Sequence, residues 1–505
     1  MRSRSAKSVR NIIIGIIDKL LLIILGFTTK TLFIRLLGAE YNGLNGLYTN
    51  ILSVLSIAEL GVGNVLTFTL YKALLTNDKE RIATLTHYFK RIYRYIALGV
   101  ALVGVALIPF LRFIVKSSVP LYDAILYYIL FLLNSVVSYF VVYKTTVIKA
   151  DQKEYIYNIC DCAATFTMYV FQIIYLIFTK NFTGYLIIQV LCTIGKNVVL
   201  NYIANKNYPY LKDKSLIRPE IIRDIRVVEN IKATFIYKVS AVVVNNTDNI
   251  LISIILGTVV VGYYSNYSIL IMYVTSFITI ISNGIIASLG NLNAEDNHLN
   301  SYNMFRNLCF AYNCITLFCT ACFASIIQEF VPIWIGNQYV LPNSNVIVIL
   351  FLFYVTTTTS PVWMFRETMG LFKQVRFIMI ANAILNIILS ILLGIWYGLA
   401  GIIGATVLSK LLTVFWFEPL ILYKYKFNQK PQEYFLTQLR FFLTDIIIIV
   451  ILIFVNHQLP SSLPWFFLKV VICCIVCTTS LIVLYRKKPE FIYFKSKLIY
   501  KIKNK

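Results

Sequence analysis

Charge is scarce in this chain. Asp, Glu, Lys and Arg together make up 13% of its 505 residues, about half the roughly 25% of ordinary soluble domains. Hydrophobic residues make up 59%, and the mean hydropathy is +0.75. That balance excludes the string of soluble domains this length would otherwise suggest. Histidine is scarcer still: His87, His298 and His457 are scattered and form no constellation. The ten cysteines form no framework either. Cys319/Cys322 and Cys474/Cys477 have CxxC spacing, but both pairs lie inside apolar runs with no histidine near. They read as small buried thiols, not as metal or redox sites. Acidic residues are few, 22 against 46 basic ones, for a net charge of +24. The cations fall in the gaps between apolar runs, and no long soluble segment could carry a nucleic-acid module. No nucleic-acid partner is therefore expected. The basic stretch Met1–Arg10 leads into an apolar run without a small-residue cleavage site, so that run is expected to be a first span and not a cleaved signal.

What the chain does have is a succession of apolar runs of about 20 residues, the length that crosses a bilayer. They predict an all-α polytopic membrane protein of about fourteen transmembrane helices. The spans fall near 11–37, 44–70, 92–114, 124–146, 156–178, 184–204, 232–256, 262–289, 307–330, 343–364, 375–396, 398–420, 438–457 and 464–485. Alternate gaps hold almost all the cations. Examples are Arg2, Arg4, Lys7 and Arg10 at the start, Lys206, Lys212, Lys214, Arg218, Arg223 and Arg226 in the longest gap, and Arg486 to Lys505 at the end. Basic loops stay on the cytoplasmic side, so both termini are expected there. The opposite loops are only a few residues long. They leave no room for an external catalytic domain, which argues against a membrane-embedded polymerase or ligase.

Two parts of the chain match at three places. Leu37-Gly38-x4-Gly43 recurs as Leu256-Gly257-x4-Gly262, Ala150-Asp151-Gln152-Lys153 is mirrored by Gly370-Leu371-Phe372-Lys373, and Gly184/Lys196 share their spacing with Gly398/Lys410. Each match falls at the equivalent span, at offsets of 219, 220 and 214. The reading is two pseudo-symmetric six-helix halves, at 1–204 and 232–420, joined by a cytoplasmic linker at 205–231. Two additional helices follow within 421–485, and then a basic tail at 486–505. Parallel repeats of this kind suit a transporter that alternates access to a site between its halves.

Within this frame, Phe33-Ile34-Arg35-Leu36-Leu37-Gly38-Ala39-Glu40-Tyr41-Asn42-Gly43-Leu44 resembles the signature between the first two spans of polysaccharide repeat-unit flippases. The run from Ser53 to Tyr71 is similar to their second span. Thr146 to Tyr155 resembles their loop after the fourth span, and Tyr397-Gly398-Leu399-Ala400-Gly401 with Ala405-Thr406 resembles the start of their twelfth. Together these resemble the Wzx-type oligosaccharide flippases of the MATE-like multidrug/oligosaccharidyl-lipid/polysaccharide exporter superfamily. The resemblance implies a bacterial inner-membrane protein that moves an undecaprenyl-pyrophosphate-linked oligosaccharide to the outer leaflet for capsule, O-antigen or another surface glycan. It implies lipid-linked oligosaccharide and membrane lipid as partners, with a polysaccharide polymerase and glycosyltransferases nearby. A multidrug or peptidoglycan-precursor exporter of the same superfamily is the alternative.

A charge in the middle of a span costs roughly 2.5–3.5 kcal/mol on insertion scales, so interior charges are candidates for function. Asp18, Lys19, Lys30, Arg35, Glu59, Lys196, Lys238, Asp248, Lys410, Glu418, Asp445 and Lys469 fall within or beside the apolar runs. Arg35, Glu418 and Lys469 lie near span ends and are expected to snorkel to the interface. Lys30, Lys196, Lys238 and Lys410 sit deeper and could supply the cationic wall that a pyrophosphate needs. Lys196 and Lys410, as repeat equivalents, would stand one on each wall. The competing structural reading is that each lysine pairs with a carboxylate such as Glu59 or Asp248. Asp248 belongs to the polar run Asn245-Asn246-Thr247-Asp248-Asn249, which must line a cavity or an interface. With Glu59, it is a candidate for H⁺ or Na⁺ coupling. No cofactor or metal is expected.

Overall fold

The computed structural model describes residues 21–59, 62–223, 227–294, 298–460 and 463–503. Among them there is no β-strand. The helices are α1 (21–37), α2 (Ala39–Leu55), α3 (Val62–Leu75), α4 (Lys79–Ala106), α5 (Leu111–Ile114), α6 (Leu121–Ser138), α7 (Val142–Ala150), α8 (Glu154–Thr179), α9 (Phe182–Asn207) and α10 (Glu220–Arg223). They continue as α11 (Val227–Asn246), α12 (Asp248–Leu256), α13 (Thr258–Ala294), α14 (His298–Ile335), α15 (Asn343–Thr358), α16 (Ser360–Thr368) and α17 (Phe372–Leu412). The last are α18 (Val414–Leu422), α19 (Gln432–His457), α20 (Leu463–Tyr485) and α21 (Pro489–Lys503). The protein is an all-α polytopic membrane protein. Eleven segments among the described residues are long and apolar enough to cross a bilayer. One of them, Phe372–Phe427, has 56 residues, enough for two crossings. Its backbone turns at Gly398, whose φ of 60° and ψ of −135° are not helical. The shorter α1 and the two-piece α2 and α3 stand where the sequence places spans 1 and 2. Counting these brings the total back to the fourteen expected from hydropathy.

Several spans are built from two helices. Span 2 breaks at a 3-10 turn, Ser56–Glu59, and span 7 breaks at Thr247. Span 4 breaks between Ser138 and Val142, and span 10 at Thr359, just before Pro361. Proline cannot donate to the preceding turn, which accounts for the break in span 10. Tyr139 and Thr359 are 220 residues apart, the offset of the repeat, so the two halves share a discontinuity that their residue types do not announce. The loops after these spans also match: Gln152 and Gly370 both have positive φ, 59° and 66°.

The chain divides into two compact units, Met1–Ser265 and Asn266–Lys505. The boundary lies within α13, so α11, α12 and the first residues of α13 belong to the first unit. Two glycines explain why they pack so closely there. A Cβ on Gly43 would overlap the carbonyl oxygen of Thr258, and one on Gly262 would overlap the carbonyl oxygen of Ala39. Gly43 pairs with Gly262, and Ala39 with Thr258, at the 219-residue offset of the first sequence match. The close approach is thus reciprocal: each repeat's glycine receives the backbone of the other's first helical turn. Such crossings rely on small residues because van der Waals packing has to replace hydrophobic driving force in lipid. Asn42 Nδ2 donates to the Gly262 carbonyl at 2.9 Å. The segment 114–118 is stitched along the same crossing, through Ser253 to Ile114 O at 2.6 Å, Thr258 to Lys116 O at 2.9 Å, and Ser117 to Glu40 at 2.7 Å.

In the second unit, α14 is the central helix, packed by α15, α19 and α20. Leu317, Ala321, Ile448, Leu452, Cys473 and Cys477 form one buried cluster where α14, α19 and α20 meet. Cys322 and Cys477, one from each CxxC pair, contribute to this packing as small side chains, and all ten cysteines are free.

Candidate functional site

The break in span 2 places a carboxylate midway along the span. The Ser53 hydroxyl donates to Thr49 O and the Ser56 hydroxyl to Ser53 O, each at 2.8 Å. These bonds compete with the helical ladder just where α2 gives way to the 3-10 turn. Glu59, half-buried, ends that turn. It lies within electrostatic reach of Tyr93 on α4 and of Tyr139 at the break of span 4. Both tyrosines are buried, and the Tyr93 hydroxyl lies against Gly63 without a hydrogen-bond partner among the described residues.

The broken span 7 packs onto the same place, with α11 resting against the 3-10 turn, α2 and α3. Asn246 Nδ2 donates to Val242 O at 2.9 Å and the Thr247 hydroxyl to Val243 O at 2.8 Å, so the polar run turns back on its own helix as α11 ends. Asp248 is buried at the start of α12. Asn249 lies near Gly46 of α2, and its Oδ1 is buried without a partner among the described residues. Glu59 and Asp248 therefore each sit at a helix break, on two spans that pack together within one unit. Discontinuous helices at mid-membrane are where transporters build ion and substrate sites, because the freed backbone groups can serve as ligands.

The four lysines are placed differently from one another. Lys30 sits on α1 with its ammonium 5.3 Å from the Phe33 ring centroid, and among the described residues it has no carboxylate partner. Its neighbours Thr28, Thr29 and Thr31 donate to carbonyls of their own helix at 2.7–2.9 Å. This polar stretch occupies the position in span 1 that the Asn245–Asn249 run occupies in span 7. Lys238 is half-buried on α11, the helix that carries the polar run. Lys196 donates to Asp161 at 2.9 Å and borders an apolar groove of about 650 Å³ between α8 and α9. Lys410, in the second unit, donates to the Thr356 hydroxyl at 3.2 Å. Glu59, Lys238 and Asp248 thus belong to the paired broken spans, whereas Lys196 belongs to a different helix pair.

Two expectations are corrected. Lys469 does not snorkel: its side chain is fully buried and donates to both carboxylate oxygens of Glu329 at 2.6 and 2.7 Å. Glu418 is also buried and is paired with Arg366, which is 2% exposed. In both cases the partner comes from another span, α14 or α16, and tertiary packing has turned a span end into an interior. Arg35, by contrast, is exposed. Asp445 is fully buried and accepts from Tyr354 at 2.9 Å. Asp18 and Lys19 lie outside the described residues. Sequence reasoning missed Asp161, Glu329 and Arg366. Each falls inside or beside an apolar run and could have been found by asking which opposite charge each interior ion needs. Among the described residues, no group of three His, Cys, Asp or Glu side chains could hold a metal ion.

No family model matches the chain, and no curated protein matches it. Solved structures do. The lipid II flippase MurJ in an inward closed conformation aligns with TM-score 0.67 at 14% identity, over 94% of this chain and 99% of that one. The fold is that of MurJ and the MATE transporters. An inward-facing multidrug resistance MATE family transporter of the MOP superfamily aligns with TM-score 0.63 at 13% identity, over 77% of this chain and 93% of that one. The MATE multidrug transporter DinF-BH aligns with TM-score 0.58 at 14% identity, over 84% and 97%.

Proposed function

We propose that this protein is a flippase that moves an undecaprenyl-pyrophosphate-linked oligosaccharide from the cytoplasmic to the outer leaflet by alternating access, for surface polysaccharide biosynthesis. The observation that carries the reading is the pair of broken spans that bring Glu59, Lys238 and Asp248 into one unit, in a fold shared with a lipid flippase across nearly its whole length. The MATE multidrug structures leave more of this chain uncovered than the lipid II flippase does. That difference favours a lipid-linked substrate over a soluble drug. On this reading the basic loops face the cytoplasm, Lys30 and Lys238 hold the pyrophosphate, and Glu59 or Asp248 carries a proton or Na⁺. Lysines suit this task because an ammonium binds phosphate oxygens as a point charge, without fixed geometry. Lys196 can bind an anion only once its pair with Asp161 opens, and Lys410 is its repeat equivalent in the second unit.

Reconstituted protein with a fluorescent lipid-pyrophosphate oligosaccharide tests this. Wild type should flip the lipid, and Lys30→Ala and Glu59→Gln should each slow flipping at least tenfold. Flipping that survives both substitutions would remove these residues from the site. Efflux of a soluble cationic dye, with no lipid flipping, would instead favour the multidrug reading.

A further inference from the structure

A second cavity, of about 800 Å³, lies wholly within the second unit. It is lined by the start of α14, the turn before α19, the first turns of α19, and the chain entering α21. It is lined by four cations, Arg306, Lys430, Arg440 and Lys488, against two carboxylates, Glu433 and Glu490. Arg306 is already engaged, donating to Glu490 Oε1 at 2.7 and 3.0 Å and lying 3.5 Å from Glu433. Tyr302 donates to the other Glu433 oxygen at 3.2 Å. The side chains of Lys430, Arg440 and Lys488 have no acidic partner among the described residues. Glu490 is more than nine-tenths buried, and its Oε2 has no hydrogen-bond partner among the described residues. The cavity thus presents an excess of positive charge beside one buried acceptor that needs a donor.

The surroundings identify the medium. Leu436, Leu439 and Leu443, on the outer surface of α19 around Arg440, are each more than half exposed, as suits contact with acyl chains. Glu490 lies in the first turn of α21, a helix that carries exposed Ile492 and Phe494 together with exposed Lys495 and Lys497. That is the pattern of a helix lying in a membrane interface. Basic pockets at the membrane boundary bind anionic lipid headgroups.

We propose that this cavity binds an anionic phospholipid with a hydroxylated headgroup, of the phosphatidylglycerol type. Lys430, Arg440 and Lys488 hold the phosphate, and a headgroup hydroxyl donates to Glu490 Oε2. On the orientation proposed above, the lipid comes from the inner leaflet. The site is separate from the broken spans, so its test does not depend on transport.

The test is native mass spectrometry of the full-length, delipidated protein titrated with phosphatidylglycerol, phosphatidic acid, phosphatidylethanolamine and phosphatidylcholine. Wild type should bind phosphatidylglycerol at least tenfold more tightly than the zwitterionic lipids and more tightly than phosphatidic acid. The Lys430→Gln/Arg440→Gln/Lys488→Gln variant should lose that tenfold, and Glu490→Gln should lose the preference over phosphatidic acid. Equal binding of all four lipids by wild type would overturn the proposal without any variant having to fold. So would displacement of phosphatidylglycerol by millimolar inorganic phosphate, which would make this a site for soluble phosphate. An equal loss in a Lys495→Gln/Lys497→Gln control would mean diffuse attraction to the tail and would also overturn it.

Discussion

Lys469 and Glu329 show how a chain this poor in charge uses its ions. The lysine is fully buried, so removing it strands a carboxylate that is itself largely shielded. Breaking a buried pair from one side costs about 3–5 kcal/mol, whereas replacing both partners with neutral groups of similar volume costs far less. Lys469→Met should therefore lower the melting temperature of the purified protein sharply, and Lys469→Met/Glu329→Gln should recover most of the loss. Equal losses in the single and double variants would show that the packing matters and the pair does not. Glu40 works at the water boundary. Partial burial pushes its carboxyl up, but hydrogen bonds from Ser118, Ser117 and the backbone outweigh this and hold it below the usual glutamate range. A depressed pKa contributes stability that is complete above the unfolded value and is lost as pH falls through the folded one. The protection of the Ser118 amide against hydrogen exchange, taken relative to its intrinsic rate, should therefore be high at neutral pH and be lost only in acid below the ordinary glutamate range. Glu40→Gln should remove that pH dependence.

At the scale of helices, the position of each span was legible because twenty apolar residues in a row have few other uses. The repeat was legible because Gly38 and Gly257 take φ of 88° and 99°, a conformation that favours glycine and so leaves a trace in the sequence. The breaks were not legible. Ser-Ile-Ala-Glu in span 2 reads as an ordinary turn of helix, and the side-chain bonds of Ser53 and Ser56 that accompany the break appear only in three dimensions. The ion-pair partners were hidden for the same reason, since hydropathy ranks residues by position along one span while Asp161, Glu329 and Arg366 act across two. The Gly43–Gly262 crossing makes a direct prediction. Alanine at either glycine forces two backbones apart, an overpacking cost of about 1–3 kcal/mol, so Gly43→Ala and Gly262→Ala should each lower the melting temperature. Together they should cost less than the sum, because the first substitution already opens the crossing. Additive losses would argue against a reciprocal contact.

For the whole molecule, the appended α19 and α20 matter most. With α14 they build a buried core, and α19 with α14 also lines the cationic cavity. If the substrate is an anionic lipid headgroup, an inside-negative membrane favours its outward passage by about 2.3 kcal/mol per charge per 100 mV. Transport should then slow when the potential is collapsed in sealed vesicles.

The central claim is that the paired breaks in spans 2 and 7 form the working site of a lipid-linked oligosaccharide flippase. The most direct measurement is the rate at which reconstituted protein moves a fluorescent undecaprenyl-pyrophosphate oligosaccharide between leaflets, for wild type, Glu59→Gln and Lys238→Ala. The account predicts rapid movement by wild type and at least a tenfold slowing in each variant, with the melting temperatures unchanged. No movement by a folded, reconstituted wild type, or wild-type rates in both variants, would contradict it.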